Sequence, residues 1–378
     1  MPEIPETMRQ LRSLVTPDGD LQLSIEHVDT PRPAEREVLV RVDAAPVNPS
    51  DLGLLLAMAD ISQAVAGGSA DEPTVTAPIA EPVMRALSAR VGRPMTVGNE
   101  GAGVVVAAGD SEQAQALVGR TVGFAGGATY GEYCLASPQM CLPLPEGASA
   151  VDGASSFVNP LTALGMVETM RRQGHTALVH TAAASNLGQM LNRVCLADGV
   201  PLVNIVRRPE QAALLREQGA VHVCDSSEPT FDADLVAALR ATGATLAFDA
   251  VGGGSLASQI LNAMEAAIVA PDAPYSRYGS EVHKQVYVYG ALDPRPIELR
   301  RRFGFAWGVG GWLLTPFLAR TSQEDLVRLR QRVAGELTTT FASHYTDEVS
   351  LQQILDAQTL QRCARQATGE KLLLRPQA

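Results

Sequence analysis

Thr181-Ala-Ala-Ala-Ser-Asn-Leu-Gly188 joins a short apolar run to a stretch of helical character. Small residues in such a turn let backbone amides approach a pyrophosphate at the start of the following helix. Gly188 is the one glycine of the usual fingerprint, with Ala, Ser and Asn in the other places. Ser185 and Asn186 have side chains suited to capping the helix N-terminus. In isolation the string reads equally as a plain structural turn. The residues after the next apolar run add the second half of the pattern. Gly188 plus 19 is Arg207, followed by Arg208. Sites for NAD tend to carry Asp or Glu about 20 residues beyond the glycine turn, on the ribose 2′-hydroxyl. A guanidinium pair suits a 2′-phosphate instead. The expected cofactor is therefore NADPH. A solvated arginine pair is the alternative, and Glu210 lies close by.

These residues need a parallel sheet to position them, and its pattern begins at about residue 159. Short apolar runs at 176–183, 201–207, 221–225, 244–253 and 284–292 read as strands. Helical stretches at 185–199, 209–220, 231–243 and 255–265 separate the first four and follow the fourth. Strands alternating with helices require parallel pairing through right-handed crossovers, which is a doubly wound, Rossmann-type α/β fold. The first 150 residues differ. Runs at 37–47, 101–111, 120–137 and the Pro-bounded 142–145 suggest a small irregular β-barrel. Residues 54–97 interrupt it with two helix-like pieces around a loop rich in Gly, Ser, Asp and Pro. They read as an insertion over the barrel, either a surface excursion or a substrate lid.

Composition bounds the rest. A chain of 378 residues suggests two to three domains, and 46% apolar with 19% charged residues excludes global disorder. A net charge of −11 argues against a nucleic-acid binder with a general basic surface. The first residues show no signal-peptide pattern. The longest uncharged apolar stretch, 303–319, is too short and too broken by Gly and Pro to span a bilayer. The five cysteines (134, 141, 195, 224 and 363) are widely spaced without C-x-x-C, as expected of reduced thiols in the cytoplasm. All aromatic Phe, Trp and Tyr residues lie after position 123.

Further strings, in order along nearly the whole chain, carry a family resemblance. Val47-Asn48-Pro49-Ser50-Asp51 resembles V-N-P-x-D, and Gly98-Asn99-Glu100-Gly101-Ala102-Gly103 resembles G-x-E-G-A-G. Asn159-Pro160-Leu161-Thr162-Ala163, the turn at 182–189, Asp249-Ala250-Val251-Gly252-Gly253, Tyr289-Gly290 and Lys371-Leu-Leu-Leu follow. The set is similar to the medium-chain dehydrogenase/reductase superfamily, on its zinc-independent quinone-oxidoreductase and enoyl-reductase side. The resemblance implies a GroES-like β-barrel domain from residues 1–158 with 303–378, and a Rossmann domain from 159–302. It implies an active site where the nicotinamide meets the barrel. Cofactor contacts are implied at Asn159, Thr162, Ser185, Asn186, Leu187, Gly188, Arg207, Arg208, Val251, Tyr289, Gly290, Ala291 and Lys371. A helix cap is the alternative for Asn159, and a solvated ammonium for Lys371.

The same alignment bears on metal. The alcohol-dehydrogenase branch has Cys, His and Cys where Asn48, Asn99 and Asn159 align. Catalytic zinc needs thiolate or imidazole ligands, which three asparagines do not supply. No zinc is expected. The implied reaction is hydride transfer from NADPH to a quinone or an α,β-unsaturated carbonyl, with the resulting oxyanion held by hydrogen-bond donors. Asn48, Asp51, Asn99 and Tyr130 are the catalytic candidates, as donors or orienters, and equally as satisfied loop residues. Enoyl-thioester reductases of this superfamily carry a catalytic Tyr soon after V-N-P-x-D, and this chain has no Tyr before 130. Enoyl-thioester reduction is the alternative activity, and an NADPH-binding sensor with little turnover the alternative of another class. Trp312 and Leu313 are candidates for the substrate pocket, with a core role as the alternative for Trp312. Tyr275 and Tyr278 are candidate neighbours of the cofactor. No nucleic-acid or membrane partner is expected. A homodimer through an exposed edge strand near 286–291 is.

Overall fold

The computed structural model describes residues 3–269 and 274–378. Its chain divides into two compact units, Met1–Val158 with Arg330–Ala378, and Asn159–Leu329. No helix among the described residues is long and apolar enough to cross a membrane.

The first unit is built on two β-sheets. Thr7–Val15 and Asp20–Asp29 alternate buried and less buried residues, and pair antiparallel from Thr7↔Asp29 to Val15↔Leu21. Pro73–Pro78 adds to Asp20–Asp29, and Val65–Gly68 adds to Pro73–Pro78. This corrects the expectation for 54–97. The interruption does contain two short helices, Leu52–Leu55 and Glu81–Ala86, but between them lies a β-hairpin that extends a sheet. The reason is local alternation: Val75 and Ala77 are buried in the core with Leu21 and Leu23, while Thr74 and Thr76 are only partly covered. Gly68 has a φ of +77° at the hairpin bend, and a Cβ there would stand 2.2 Å from the Glu72 carbonyl.

In the other sheet Val38–Pro46 is central. Glu100–Ala108 and Tyr133–Ala136 both pair with it, and Thr121–Ala125 and Cys141–Pro143 continue beyond Glu100–Ala108. On its far end Leu372–Leu374 pairs antiparallel, with Leu373 opposite Pro46. That register sets Lys371 beside the chain that leads into Asn48.

The second unit has six parallel strands: His222–Asp225, Leu202–Val206, Leu178–His180, Leu246–Asp249, Lys284–Val288 and Trp307–Gly311, in that spatial order. Numbered by appearance in the unit, the order is 3-2-1-4-5-6, the doubly wound arrangement. Two expectations shift. Lys284–Val288 is paired on both sides, so the edge strand on that side of the sheet is Trp307–Gly311 rather than 286–291. The chain leaves this unit at Leu329 rather than at 302, because the sixth strand and the helix after it stay with the sheet.

The fifth strand starts at a buried cation. Lys284 is fully buried and donates to Glu265 Oε2 at 2.7 Å, Ser280 Oγ at 3.0 Å and the Val282 carbonyl at 2.9 Å. All three ammonium hydrogens are used, as burial of a charge demands. Lys284→Met leaves Glu265 charged and mostly covered without its counter-ion, and is expected to cost about 3 kcal/mol. The measurement is the urea midpoint of the variant against the parent chain.

Candidate functional site

Two buried carboxylates organise the first unit's candidates. Asp51 caps its own turn: Oδ2 accepts from Asn48 N at 2.9 Å. Its Oδ1 accepts from Asn99 N, also at 2.9 Å, forty-eight residues away. Glu100 Oε1 accepts from Asn48 Nδ2 at 2.8 Å, while Oε2 accepts from Phe157 N and Val158 N at 2.9 and 2.8 Å. The two acids therefore draw the 48 and 99 loops together and fasten them to the backbone at Phe157 and Val158. Both are almost fully buried. Burial pushes Asp51 up to about 7 and raises Glu100 as well, against the pull of the hydrogen bonds each accepts.

Lys371 completes this group. It is buried, donates to Ser155 Oγ at 2.7 Å and stands over the Tyr345 ring at 5.5 Å. Tyr345 shares Ser155 at 2.8 Å. Burial pulls the Lys371 ammonium down to about 8, opposed by Glu100 and Asp51. The solvated-lysine alternative is thus excluded. Tyr130 is fully buried; its hydroxyl donates to the Pro46 carbonyl at 3.1 Å and lies 3.4 Å from Asp51 Oδ2. Burial, then Asp51, raises its pKa well above the usual phenol value. Tyr130 supports Asp51 and presents no free hydroxyl, which corrects the expectation of a catalytic phenol. Asn99 is the candidate whose side chain is only partly covered, with Nδ2 given to Ser50 Oγ at 3.1 Å.

In the second unit the 181–188 turn joins the first strand to the helix Asn186–Asp198. Ser185 is the N-cap, its Oγ accepting from Gly188 N at 3.1 Å. Asn186 is the first helical residue and Leu187 the next, both partly exposed. A Cβ on Gly188 would stand 2.2 Å from the Ala183 carbonyl, so only glycine fits the close crossing of turn and helix. Ala182 is held at a φ of +49°, a conformation uncommon for alanine. The turn is latched to the fourth strand. Thr181 Oγ1 donates to Asp249 Oδ1 at 2.7 Å and accepts from Ala250 N at 2.8 Å, while Asp249 also accepts from Val251 N and Gly252 N. Asp249 is thus a structural latch.

Beyond the fourth and fifth strands the backbones nearly touch. A Cβ on Gly290 would lie 2.5 Å from the Ala250 carbonyl, and one on Gly252 2.2 Å from the Gly290 carbonyl. Val251, Tyr289 and Gly290 are partly exposed there, and Ala291 is exposed. Arg207 and Arg208 end the second strand, both exposed, and neither side chain is in an ion pair among the described residues. Asn159 and Thr162 lie buried in the helix Val158–Arg172. Of the two pocket candidates, Trp312 takes the alternative, core place. Trp312 packs edge-on to Phe248 and against Phe317, each at 5.7 Å, and gives its indole N–H to Thr169 Oγ1 at 3.1 Å, so it is core. Leu313 instead faces solvent, 64% exposed. Tyr275 and Tyr278 are exposed, Tyr278 lying edge-on to Phe305.

Sequence reading missed Glu100, Ser155, Tyr345 and His180 as site residues. Glu100 lies within a motif it did use; the other three carry no local signal. Removing Glu100 leaves three N–H donors buried without an acceptor. Glu100→Ala is therefore expected to destabilise the first unit by about 3 kcal/mol or more. Urea unfolding followed by tyrosine fluorescence reads the loss, and Glu100→Gln, which keeps one acceptor oxygen, should fall between.

Comparison with known proteins adds the family. Residues 34–146 match the alcohol dehydrogenase GroES-like domain. A quinone oxidoreductase of Pseudomonas aeruginosa is 32% identical over 139 residues, 36% of this chain and 42% of that protein. The mitochondrial enoyl-[acyl-carrier-protein] reductase of Xenopus tropicalis is 29% identical over 209 residues, 53% of this chain and 51% of that protein. The chain therefore spans about half the length of the curated relatives it matches. Among solved structures, a candidate NADPH:quinone reductase from Mesorhizobium loti is 27% identical, with a TM-score of 0.74, covering 99% of this chain and 100% of that one. With a GroES-like match in one unit, a doubly wound sheet in the other and these relatives, the chain is similar to the quinone oxidoreductases and enoyl reductases of the medium-chain dehydrogenase/reductase superfamily.

Proposed function

We propose that this protein is an NADPH-dependent reductase that transfers hydride to a quinone or an α,β-unsaturated carbonyl without a metal. The observation that carries the reading is the end of the second strand. Two exposed guanidiniums, Arg207 and Arg208, stand where an NAD site would hold an acid. The rest of the second unit fits a dinucleotide. The Ser185-capped helix offers its N-terminus to a pyrophosphate, and the bare backbones at Gly188, Gly252 and Gly290 leave room for close approach. Asn159, Thr162, Ser185, Asn186, Leu187, Gly188, Val251, Tyr289, Gly290, Ala291 and Lys371 are the proposed cofactor contacts. NADPH supplies the hydride; the protein binds, orients and excludes water.

The donor chemistry at three positions supports the metal-free reading. Asn48, Asn99 and Asn159 are neutral amides, and Asn48 and Asn99 spend N–H bonds on Glu100 and Ser50. Asn99 keeps a second amide hydrogen and is the proposed donor to the acceptor's developing oxyanion. Asn48, Asp51 and Tyr130 act as positioning residues for it. The acceptor is a small molecule. Reduction of an enoyl thioester is the second reading, favoured by the longer stretch matched by the Xenopus enoyl reductase. The five cysteines are buried and, among the described residues, form no disulfide, which supports a reducing compartment such as the cytoplasm. The open edge Trp307–Gly311 supports a homodimer.

Loss of NADPH absorbance with quinones, enones and enoyl thioesters, with NADH in parallel, tests the activity. NADPH should be oxidised well ahead of NADH. Arg207→Ala with Arg208→Ala is expected to raise KM for NADPH by roughly 10- to 100-fold, as for lost charge-assisted hydrogen bonds, and to leave NADH little changed. Equal effects on both cofactors would remove the 2′-phosphate assignment. For the dimer, sedimentation of Val309→Lys should show monomer where the parent chain shows dimer.

A further inference from the structure

The second unit pairs a buried histidine, which none of the roles above uses, with Tyr289. His180 ends the first strand and Tyr289 follows the fifth. His180 Nε2 and Tyr289 Oη are 2.7 Å apart, and the rings stack at 5.7 Å and 18°. His180 is fully buried, and burial pushes its pKa down to about 3, so the imidazole is neutral. Its Nδ1 has no hydrogen-bond partner among the described residues. Its register neighbour on the second strand, Asn204, turns Nδ2 to Asn192 Oδ1 instead. A buried N–H without an acceptor is rarer than a buried lone pair without a donor. That assigns the ring proton to Nε2, where it is donated to Tyr289 Oη. The phenol oxygen is then an acceptor on its inner side, and its own hydrogen is free for a second partner. Tyr289 is only partly covered, and burial together with Asp249 raises its pKa, so it keeps that hydrogen.

The sheet order indicates which part of the cofactor that partner belongs to. A doubly wound sheet consists of two mononucleotide-binding halves that meet at the switch between strands 1 and 4. Arg207 and Arg208 end strand 2, in the half assigned to the 2′-phosphate. Tyr289 follows strand 5, in the other half, which takes the nicotinamide. The carboxamide oxygen is the acceptor that this end offers.

We infer that His180 is a positioning residue that holds the Tyr289 hydroxyl as an outward hydrogen-bond donor to the nicotinamide end of the cofactor. The inference rests on the NADPH reading and adds to it an imidazole that touches no ligand itself. It involves no proton or electron transfer.

Binding, measured by calorimetry with NADPH and with 2′,5′-ADP, separates the two ideas, because 2′,5′-ADP keeps the 2′-phosphate and lacks the nicotinamide. Tyr289→Phe and His180→Phe should each weaken NADPH about tenfold, the worth of a well-made hydrogen bond, and leave 2′,5′-ADP within about twofold. The double variant should be no weaker than either single one. His180→Gln, which keeps an N–H donor near the Nε2 position, should stay close to the parent chain. Unchanged NADPH affinity in either Phe variant overturns the inference. So does an equal loss of both ligands in His180→Phe, which would show a purely structural histidine. A parent chain that binds neither ligand sinks the NADPH reading and the inference with it.

Discussion

Two buried carboxylates hold the first unit's candidate loops, and their cost is what makes them informative. Asp51 and Glu100 accept five N–H groups between them, from Asn48, Asn99, Phe157 and Val158. Removing a carboxylate from water is unfavourable unless its lone pairs are filled. Here the filling donors come from three separate stretches of chain. The loops cannot separate without exposing or orphaning a charge. Lys371 adds a buried ammonium to the same group; burial moves all three from their usual pKa, and the attraction between Lys371 and Glu100 opposes it. Through the bond from Asn99 N to Asp51 the group acts as a clamp that keeps Asn99 in place.

The second unit solves its positioning problem with backbone. The 181–188 turn carries no charged side chain; what shapes it is a serine cap, a threonine–aspartate latch to the next strand and a glycine that no other residue can replace. Gly252 and Gly290 repeat the device where the loops after the fourth and fifth strands meet. Side-chain charge stands exposed at Arg207 and Arg208, just past a strand end, where on the proposed reading it selects the cofactor. Division of labour of this kind lets the 181–188 turn depart from the glycine-rich fingerprint and still present amides. Ser185 and Asn186 substitute where conformational freedom is not required, and Gly188 remains where it is.

The chain as a sequence determined much of this. The period of apolar runs and helical stretches after residue 159 demanded a parallel sheet, because consecutive parallel strands need long crossovers. Ser185 read as a cap and Arg207 with Arg208 as a strand-end pair are local signals, carried by residues within one turn of their partners. What the tertiary structure decided lies at long range. The hairpin within 54–97, the sixth strand at Trp307–Gly311 and the core place of Trp312 depend on which surfaces meet. Glu100 stood in plain view within its motif, yet its role needed Phe157, Val158 and Asn48 to arrive from fifty residues or more away. His180 and Tyr289 are 109 positions apart and are neighbours only because the first and fifth strands end at one level of the sheet. Local propensity is written in neighbouring residues, whereas a buried polar contact is defined by register, and register is settled only when the whole sheet has assembled.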